Sequence, residues 1–201
     1  MLSCFYNMQF TKNIYNLQAL NFMRSTNLRV GILGGTFDPA HAGHRMISLQ
    51  ALNYYKFDYV IWLVANQNPL KKKSRDIFDR ANNAVKVANH PRIIVSSAEY
   101  DLECFYIYDS LKALIDKFPA VNFSWLMGID SAATFSKWHR YEEIKNLCDI
   151  IIFDRPTPTR LVNNRDFGLK SKATLDKTQT NSIMVHRKGL CDISSTQIRN
   201  I

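Results

Sequence analysis

The fold is decided by residues 29–44, which read RVGILGGTFDPAHAGH. The apolar run that opens this stretch is typical of a strand buried in a parallel sheet. Gly34 and Gly35 follow it directly, and because they lack a Cβ they allow a sharp turn and a close approach to a ligand. Pro39 stiffens the next bend, and a helical pattern begins at His44. The stretch therefore predicts a strand, a glycine turn and a helix in succession.

The rest of the chain continues this alternation of short apolar runs and helical patterns. Helices are predicted over residues 44–55, 76–89, 106–117 and around 141–147, with a last one from Ser195. Besides 29–33, strands are predicted over residues 59–64, 92–96, 122–127, 149–153 and 183–186. This alternation indicates parallel βαβ units with right-handed crossovers. The predicted fold class is therefore α/β, with a Rossmann-like doubly wound parallel sheet.

Open parallel sheets bind their ligands beyond the carboxyl ends of the strands. Four segments of this sequence occupy that position: residues 34–35, 66–73, 128–131 and 154–155. They are the candidate binding loops.

His41 and His44 stand three residues apart where the first helix begins. The free N–H groups and the dipole of a helix N-terminus favour an anion, and two imidazoles there could stabilise charge on phosphoryl oxygens. A polyphosphate fits this arrangement. Zinc is an alternative ligand for two histidines, although a third ligand at a suitable spacing is not evident. A purely structural pair of histidines is the other alternative.

Five motifs in order resemble the nucleotidylyltransferase superfamily, and within it the bacterial nicotinate-nucleotide adenylyltransferases, from about Leu28 onward. They are the turn GGTFDPAHAGH (34–44) with its H-x-G-H signature, GIDS (128–131), Trp138 with residues 141–144, Arg155 before Pro156, and ISSTQIR (193–199). The first motif is shared with sister enzymes, whereas the combination is more specific. The resemblance implies the superfamily's fold and a reaction that joins nicotinate mononucleotide to the AMP part of ATP, giving deamido-NAD and pyrophosphate.

The resemblance also implies a role for individual residues. His41, His44 and Arg199 would be catalytic, the histidines at the α- and β-phosphates and Arg199 on the leaving pyrophosphate. Magnesium would arrive with ATP, since no carboxylate cluster suggests a metal site of the protein's own. ATP would be bound by Gly34, Gly35, Thr36, Phe37, His41, His44, Gly128, Asp130, Ser194, Ser195, Thr196 and Arg199. Nicotinate mononucleotide would be bound by Asn66, Lys72, Tyr106, Ile107, Asp130, Trp138, His139 and Arg155.

Several of these assignments have an alternative interpretation. The hydroxyls of residues 194–196 open a helix beside free N–H groups, which suits phosphate but is also found in an ordinary capped surface helix. Trp138 offers a flat surface for an electron-poor ring, and it would serve equally as a core tryptophan. Lys72 lies in a basic loop that could simply be solvated.

The chain departs from the family pattern at three places. Ile107 follows Tyr106 where relatives often have threonine, so a hydroxyl expected near the nicotinate is missing. His139 stands where another aromatic residue commonly follows the tryptophan. The sequence ends at Ile201, just after the closing motif, where relatives usually continue through a longer helix. The packing of the last helix is therefore left open.

Composition narrows the choice of protein class. Of the 201 residues, 46% are hydrophobic, and no run of about 18 apolar residues could span a membrane. The net charge of +9 favours anionic partners and leaves a basic nucleic-acid-binding protein as the alternative from a different class. The basic residues between 155 and 188 are scattered, so nucleic acid is not expected as a partner. Because no long apolar run occurs, no membrane is expected either. The four cysteines form no C-x-x-C pair, which favours a reducing cytoplasm.

The first residues differ from the rest, because no acidic residue precedes Asp38 and no motif occurs there. We expect two parts: an N-terminal extension over residues 1–27 and a nucleotidylyltransferase domain over residues 28–201. The extension is predicted to be disordered or to reflect a translation start at Met23, and a basic transit peptide is the alternative. On this interpretation residues 1–22 would not be needed for stability or activity.

Among related enzymes, pantetheine-phosphate adenylyltransferase shares the opening turn and the ATP clamp. Its chains are usually shorter and lack segments arranged like residues 128–131 and Trp138. A class I aminoacyl-tRNA synthetase also contains H-x-G-H, but 201 residues leave no room for tRNA-binding domains. The sequence therefore favours the nicotinate-nucleotide enzyme, with an oligomeric state that it does not specify.

Overall fold

The computed structural model describes residues 14–24, 27–66, 75–154 and 182–186. Its strands are β1 (Ile14–Tyr15), β2 (Arg29–Gly35), β3 (Tyr59–Val64), β4 (Ile93–Ser96), β5 (Asn122–Gly128), β6 (Asp149–Phe153) and β7 (Ile183–His186). The α-helices are α1 (Ala42–Tyr54), α2 (Ile77–Ala88), α3 (Ala98–Asp101), α4 (Ile107–Lys117), α5 (Ile129–Ala132) and α6 (Tyr141–Leu147). Two 3₁₀ helices span Ala19–Met23 and Phe135–Lys137.

The seven described strands form one sheet in the order β1-β4-β3-β2-β5-β6-β7, and every neighbouring pair is parallel. From β2 the chain proceeds outward through β3 to β4, and it then returns to the other side of β2 to place β5. This reversal is the hallmark of a doubly wound sheet. The α/β fold class predicted from the sequence is confirmed.

Both faces of the sheet are covered, which explains why its strands are continuously apolar rather than alternating. On one face, Ile32 of β2 and Ile61 of β3 pack in the cluster that contains Leu111 of α4. On the other face, Trp62 of β3 packs in the cluster that contains Ala81 of α2. Successive residues of β3 thus enter opposite cores, as the period of two in a strand requires.

The helix predicted over residues 76–89 shows how local signals set its ends. Asp76 is the N-cap, and its carboxylate accepts a hydrogen bond of 2.8 Å from the N–H of Phe78. Asn89 ends the helix in the left-handed region, with φ of 33°. The body of the prediction, residues 77–88, is confirmed.

The N-terminal segment differs from the expectation that residues 1–27 stand apart from the domain. Residues 14–24 pack on the domain, and β1 pairs with β4 at the edge of the sheet. Leu20 and Met23 are completely buried in the same core as Ile32 and Leu111. The apolar spacing of Leu20 and Met23 was hidden among asparagines and glutamines, and β1 is too short to show a pattern. Residues 14–24 therefore differ from the expectation of disorder, and residues 1–13 lie outside the described residues.

The two glycines also differ from the prediction of a glycine turn. β2 continues through Gly35, and the chain turns only after it. Gly34 is required by packing, since a Cβ at this position would lie 2.1 Å from Cη2 of Trp125. A Cβ on Gly35 would meet the Phe37 ring at an ordinary 3.6 Å.

Replacing Gly34 with alanine is therefore expected to destabilise the fold by about 1–3 kcal/mol, the usual cost of overpacking a core. Gly35→Ala is the matched control, and it should leave the free energy of unfolding unchanged or raise it by up to about 1 kcal/mol. Urea denaturation of both variants measures the difference. Equal stabilities for the two variants would contradict the packing role of Gly34.

Candidate active site

The candidate site lies at the carboxyl ends of β2 and β5, where the chain reverses its direction of winding. Leu33 of β2 is in register with Leu126 of β5, so Gly35 and Gly128 lie two residues further along at the same end. A crevice opens at this switch point because the connections from the two strands leave on opposite sides of the sheet. The opening motif and the GIDS segment are thereby brought together, as the sequence predicted.

The turn after β2 is built around Phe37. This residue has a φ of 48°, in the left-handed region that a phenylalanine seldom adopts. The residue is 1% exposed, and its ring stacks on Trp62 with the ring centres 5.1 Å apart. Phe37 therefore supports the turn from the core, and its assignment to ATP stays a prediction. The peptide bond between Asp38 and Pro39, which follows, is cis.

His41 and His44 cap α1 by a reciprocal pair of hydrogen bonds. His41 is the N-cap residue, and its Nδ1 accepts from the N–H of Gly43 at 3.1 Å. Nδ1 of His44 accepts from the N–H of His41 at 3.2 Å, and the two rings lie 3.8 Å apart. In a capping box, a serine or threonine and a glutamate make these bonds. Imidazoles in their place keep the cap and add a second nitrogen to each side chain.

This geometry fixes the tautomer of both histidines. Because both Nδ1 atoms accept hydrogen bonds, the neutral rings carry their proton on Nε2. The Nε2–H groups are thus the donors that His41 and His44 have for an anion. They stand at the N-terminus of a 13-residue helix, whose dipole favours negative charge.

The first turn of α1 is fixed to the sheet beneath it. The hydroxyl of Ser48 donates to the carbonyl of His44 at 2.9 Å, and the indole N–H of Trp62 donates to that hydroxyl at 2.7 Å. The ring of Phe37 lies 4.8 Å from that of His44. The histidine pair is therefore preorganised by buried neighbours.

Arg80 is a component of the site that the sequence analysis missed. Its side chain is 1% exposed and donates to the carbonyls of Thr36 (2.7 Å), Asn66 (3.0 Å) and Arg75 (2.8 Å). Burial lowers its pKa, and the charges of nearby carboxylates oppose this shift. One guanidinium thus joins the turn after β2 to the end of β3. The sequence did indicate that Arg80 is buried, because position 80 falls on the apolar face of α2 with Ile77 and Ala84.

Glu99 is the second residue that was missed. It lies in the short helix α3, is 2% exposed, and accepts from the backbone N–H of Asn66 at 3.1 Å and from the hydroxyl of Ser110 at 2.9 Å. Burial raises its pKa to about 7, although those two hydrogen bonds act in the opposite direction. Its position in a polar stretch, between strand and helix, gave no periodic signal.

Tyr106 and His139, both assigned to the pyridine nucleotide, meet in space. Their ring centres lie 4.4 Å apart although they are 33 residues apart in sequence. Tyr106 is the N-cap of α4 and is 42% exposed. Ile107, the first residue of α4, packs against the core. The exposed ring pair is the part of this region that is available to a ligand.

Trp138 and Asp130 occupy different environments. Trp138 is half-buried, with edge-to-face contacts to Phe135 at 5.3 Å and Trp125 at 6.2 Å. This indole therefore has the packing role that the sequence left as an alternative, and it keeps a partly exposed surface. Asp130 is exposed in α5, directly after Gly128 at the end of β5.

The family model for cytidylyltransferase-like proteins matches residues 32–201. The chain belongs to the cytidylyltransferase-like family. Similar proteins named "Probable nicotinate-nucleotide adenylyltransferase" come from Methylorubrum extorquens and Cereibacter sphaeroides. The first is 40% identical over 131 residues, 64% of this chain and 71% of that protein. The second is 41% identical over 128 residues, which are 63% of this chain and 69% of that protein.

Two solved structures of Plasmodium falciparum nicotinic acid mononucleotide adenylyltransferase share the fold of this cytidylyltransferase-like chain. The one complexed with APC gives a TM-score of 0.66 at 19% identity, over 86% of this chain and 83% of that one. The one complexed with NaAD gives 0.65 at 20% identity, with the same coverage. The likeness shows that the sheet and its flanking helices have the architecture of these proteins.

Other residues that the sequence assigned to the site lie outside the described residues. They are Lys72, Arg155, Ser194, Ser195, Thr196 and Arg199, together with the helix predicted from Ser195. Their assignments stay predictions. Within the described part of this family member, no group of three or more acidic, histidine or cysteine side chains is placed to hold a metal ion. Nor does any described helix have the length and apolarity needed to cross a membrane.

Proposed function

We propose that this chain is a nicotinate-nucleotide adenylyltransferase, which joins nicotinate mononucleotide to the AMP part of ATP in NAD biosynthesis. The observation that carries the proposal is the reciprocal histidine cap of α1, with its Nε2 donors at the switch point of the sheet. The names of relatives at about 40% identity support this pair of substrates. A cytoplasmic location stays a prediction.

Catalysis in this proposal needs no nucleophile from the protein. The phosphate of nicotinate mononucleotide attacks the α-phosphorus of ATP in line, a P–O bond forms, and the bond to the β-phosphate oxygen breaks to release pyrophosphate. His41 and His44 would donate from Nε2 to oxygens that gain charge, while Arg199 would hold the leaving group. Alignment and charge stabilisation supply the rate enhancement. Magnesium enters as part of the ATP substrate.

The pyridine nucleotide would lie on the side of α4 and α6. Tyr106 and His139 offer exposed aromatic surface there, and Asn66 lies at the end of β3. The guanidinium of Arg140 lies 3.8 Å over the ring of Tyr108, and its Nε donates to Glu143 at 3.2 Å. This side of the site therefore offers aromatic surface and the remaining N–H donors of a guanidinium, which suits a pyridine ring that carries a carboxylate.

The enzyme is expected to prefer nicotinate mononucleotide over nicotinamide mononucleotide by about ten-fold or more in kcat/KM. A carboxylate that accepts charge-assisted hydrogen bonds gains roughly 1.5–3 kcal/mol for each bond. An amide would turn its NH₂ toward donors, which adds a penalty. The hydroxyl that is missing at Ile107 removes one donor, so we expect a ratio of kcat/KM values near ten rather than far above it.

Pyrophosphate release from purified protein, ATP and magnesium tests both the function and this preference. The acceptors compared are nicotinate mononucleotide, nicotinamide mononucleotide and phosphopantetheine. Turnover with phosphopantetheine alone would replace the proposed function by that of the sister enzyme. Equal kcat/KM values for the two pyridine nucleotides would show that the ring side of the pocket has been misread, while the ATP side stands.

A further inference from the structure

We propose that Glu99 is a positioning residue for the pyridine nucleotide, which holds Asn66 directly and holds the first turn of α4, where Tyr106 lies, through Ser110. Arg80 couples this half of the site to the histidine turn. The proposal rests on the proposed function, because both held residues are assigned to nicotinate mononucleotide. Neither Glu99 nor Arg80 lies in the five motifs quoted from the sequence.

Glu99 reaches the two binding residues through separate oxygens of one buried carboxylate. Oε2 accepts from the backbone N–H of Asn66 at 3.1 Å. Oε1 accepts from the hydroxyl of Ser110 at 2.9 Å, and this hydroxyl lies 3.2 Å from the carbonyl of Tyr106. A single side chain therefore connects the end of β3 with the start of α4.

Arg80 holds Asn66 from the opposite side. Its guanidinium donates to the carbonyl of Asn66 at 3.0 Å, so that both polar groups of this residue's backbone are bound by buried charged side chains. The same guanidinium donates to the carbonyl of Thr36 at 2.7 Å. The end of β3 and the turn after β2 thus cannot move independently without breaking buried hydrogen bonds, which is costly in a low-dielectric interior.

The groups of the described residues that face Glu99 come from four places. They are Arg80 of α2, the backbone of Asn66 after β3, Ser110 of α4, and Cys104 after α3, whose N–H donates to the carbonyl of Glu99. Arginine stays charged at any ordinary pH. Burial raises the pKa of the Cys104 thiol above its ordinary value of 9.0. Glu99, with a pKa near 7, is therefore the member of this group whose charge changes around neutral pH.

Protonation of Glu99 would weaken the arrangement. An ionised carboxylate offers acceptors to both the Asn66 N–H and the Ser110 hydroxyl, whereas the acid turns one oxygen into a donor. The acid can still turn its carbonyl oxygen to the Asn66 N–H and its O–H to Ser110, but both hydrogen bonds then lose the assistance of the negative charge and are weaker. We therefore expect the KM for nicotinate mononucleotide to rise as the pH falls from 8 to 6.

Steady-state kinetics of Glu99→Ala and Glu99→Gln, with the concentrations of both substrates varied, test this proposal. Glu99→Ala is expected to raise the KM for nicotinate mononucleotide about ten-fold, the effect of one or two lost hydrogen bonds, with a smaller change in the KM for ATP. Glu99→Gln can still accept from Asn66 and donate to Ser110, as the protonated acid does, so its KM should lie between that of Glu99→Ala and that of the wild type at pH 8. Because glutamine does not titrate, this variant should also lose the pH dependence that Glu99 contributes.

The ratio of wild type to Glu99→Gln at each pH cancels the titration of the substrate's own phosphate, which falls in the same range. Glu99→Ala with wild-type KM values, or a Glu99→Gln profile identical to that of the wild type, would overturn the proposal. If Glu99→Ala fails to fold, the KM values of Ser110→Ala and Glu99→Gln and their pH dependence test the proposal instead. A wild-type protein without activity on nicotinate mononucleotide would instead refute the proposed function itself.

Discussion

The double variant His41→Asn/His44→Gln is expected to keep its fold and to lose at least about 100-fold in kcat, the usual effect of removing a transition-state hydrogen-bond donor. Both substitutions are chosen to preserve the cap of α1. Asparagine is among the best N-cap residues and can accept from the N–H of Gly43, as His41 does. Glutamine at the third helical position can accept from the N-cap N–H, as His44 does.

This choice separates the two functions that each histidine performs. Alanine at either position would remove the imidazole and also the capping acceptor, and loss of a cap costs typically about 1 kcal/mol of stability. A low activity of His41→Ala could therefore reflect a frayed helix. The Asn/Gln pair removes both imidazole rings, and with them their Nε2–H donors, while the capping bonds remain.

Pyrophosphate release under saturating substrates, together with urea denaturation, measures the two effects separately. Gln18→Ala, at an exposed position that no motif or assigned site residue occupies, is the reference for a neutral change. Turnover by the folded Asn/Gln variant within a few-fold of wild type would refute the role of the imidazoles in stabilising the reacting phosphates.

The sequence predicted those parts of the fold that repeat a local pattern. The buried strand Tyr59–Val64 and the helix Tyr141–Leu147 have the predicted bounds, because an apolar run and a helical stripe are visible in one chain segment. The histidine pair was predictable for the same reason, since both residues lie within one turn of helix. The short helices α3 and α5, each of four residues, are too brief to show a period.

What could not be predicted depends on contacts between distant segments. Glu99 and Arg80 meet at Asn66 only because β3, α2 and α3 come together at one end of the sheet. Gly34 was interpreted as a residue for turning, whereas its space is occupied by Trp125 from a strand about 90 residues later. Such requirements arise from packing, and a single sequence shows the residue but not its neighbour.

A protein that begins at Met23 is expected to be less stable than the full chain by about 3–5 kcal/mol. The truncation removes Leu20, which is completely buried, and loss of a buried leucine side chain alone typically costs 2–5 kcal/mol. It also removes β1, whose Tyr15 carbonyl accepts from the hydroxyl of Ser96 at 2.7 Å and from the N–H of Ser97 at 3.1 Å. The edge of β4 would then be open to pairing with another chain.

The truncation should lower the free energy of unfolding and leave kcat unchanged, because the described part of the removed segment contributes no assigned site residue. At low temperature, where the truncated protein is still folded, its kcat should match that of the full chain. Its denaturation midpoint should fall sharply, since domains of this kind are stable by only about 5–15 kcal/mol in total.

Leu20→Ala in the full chain is the point variant that isolates the buried contact, with the exposed Gln18→Ala as its matched control. Leu20→Ala should destabilise by about 2–4 kcal/mol, and Gln18→Ala by less than about 0.5 kcal/mol. Equal free energies of unfolding for the full chain, the truncated protein and Leu20→Ala would mean that residues 14–24 do not pack on the core in solution. The original expectation of a dispensable extension would then be correct.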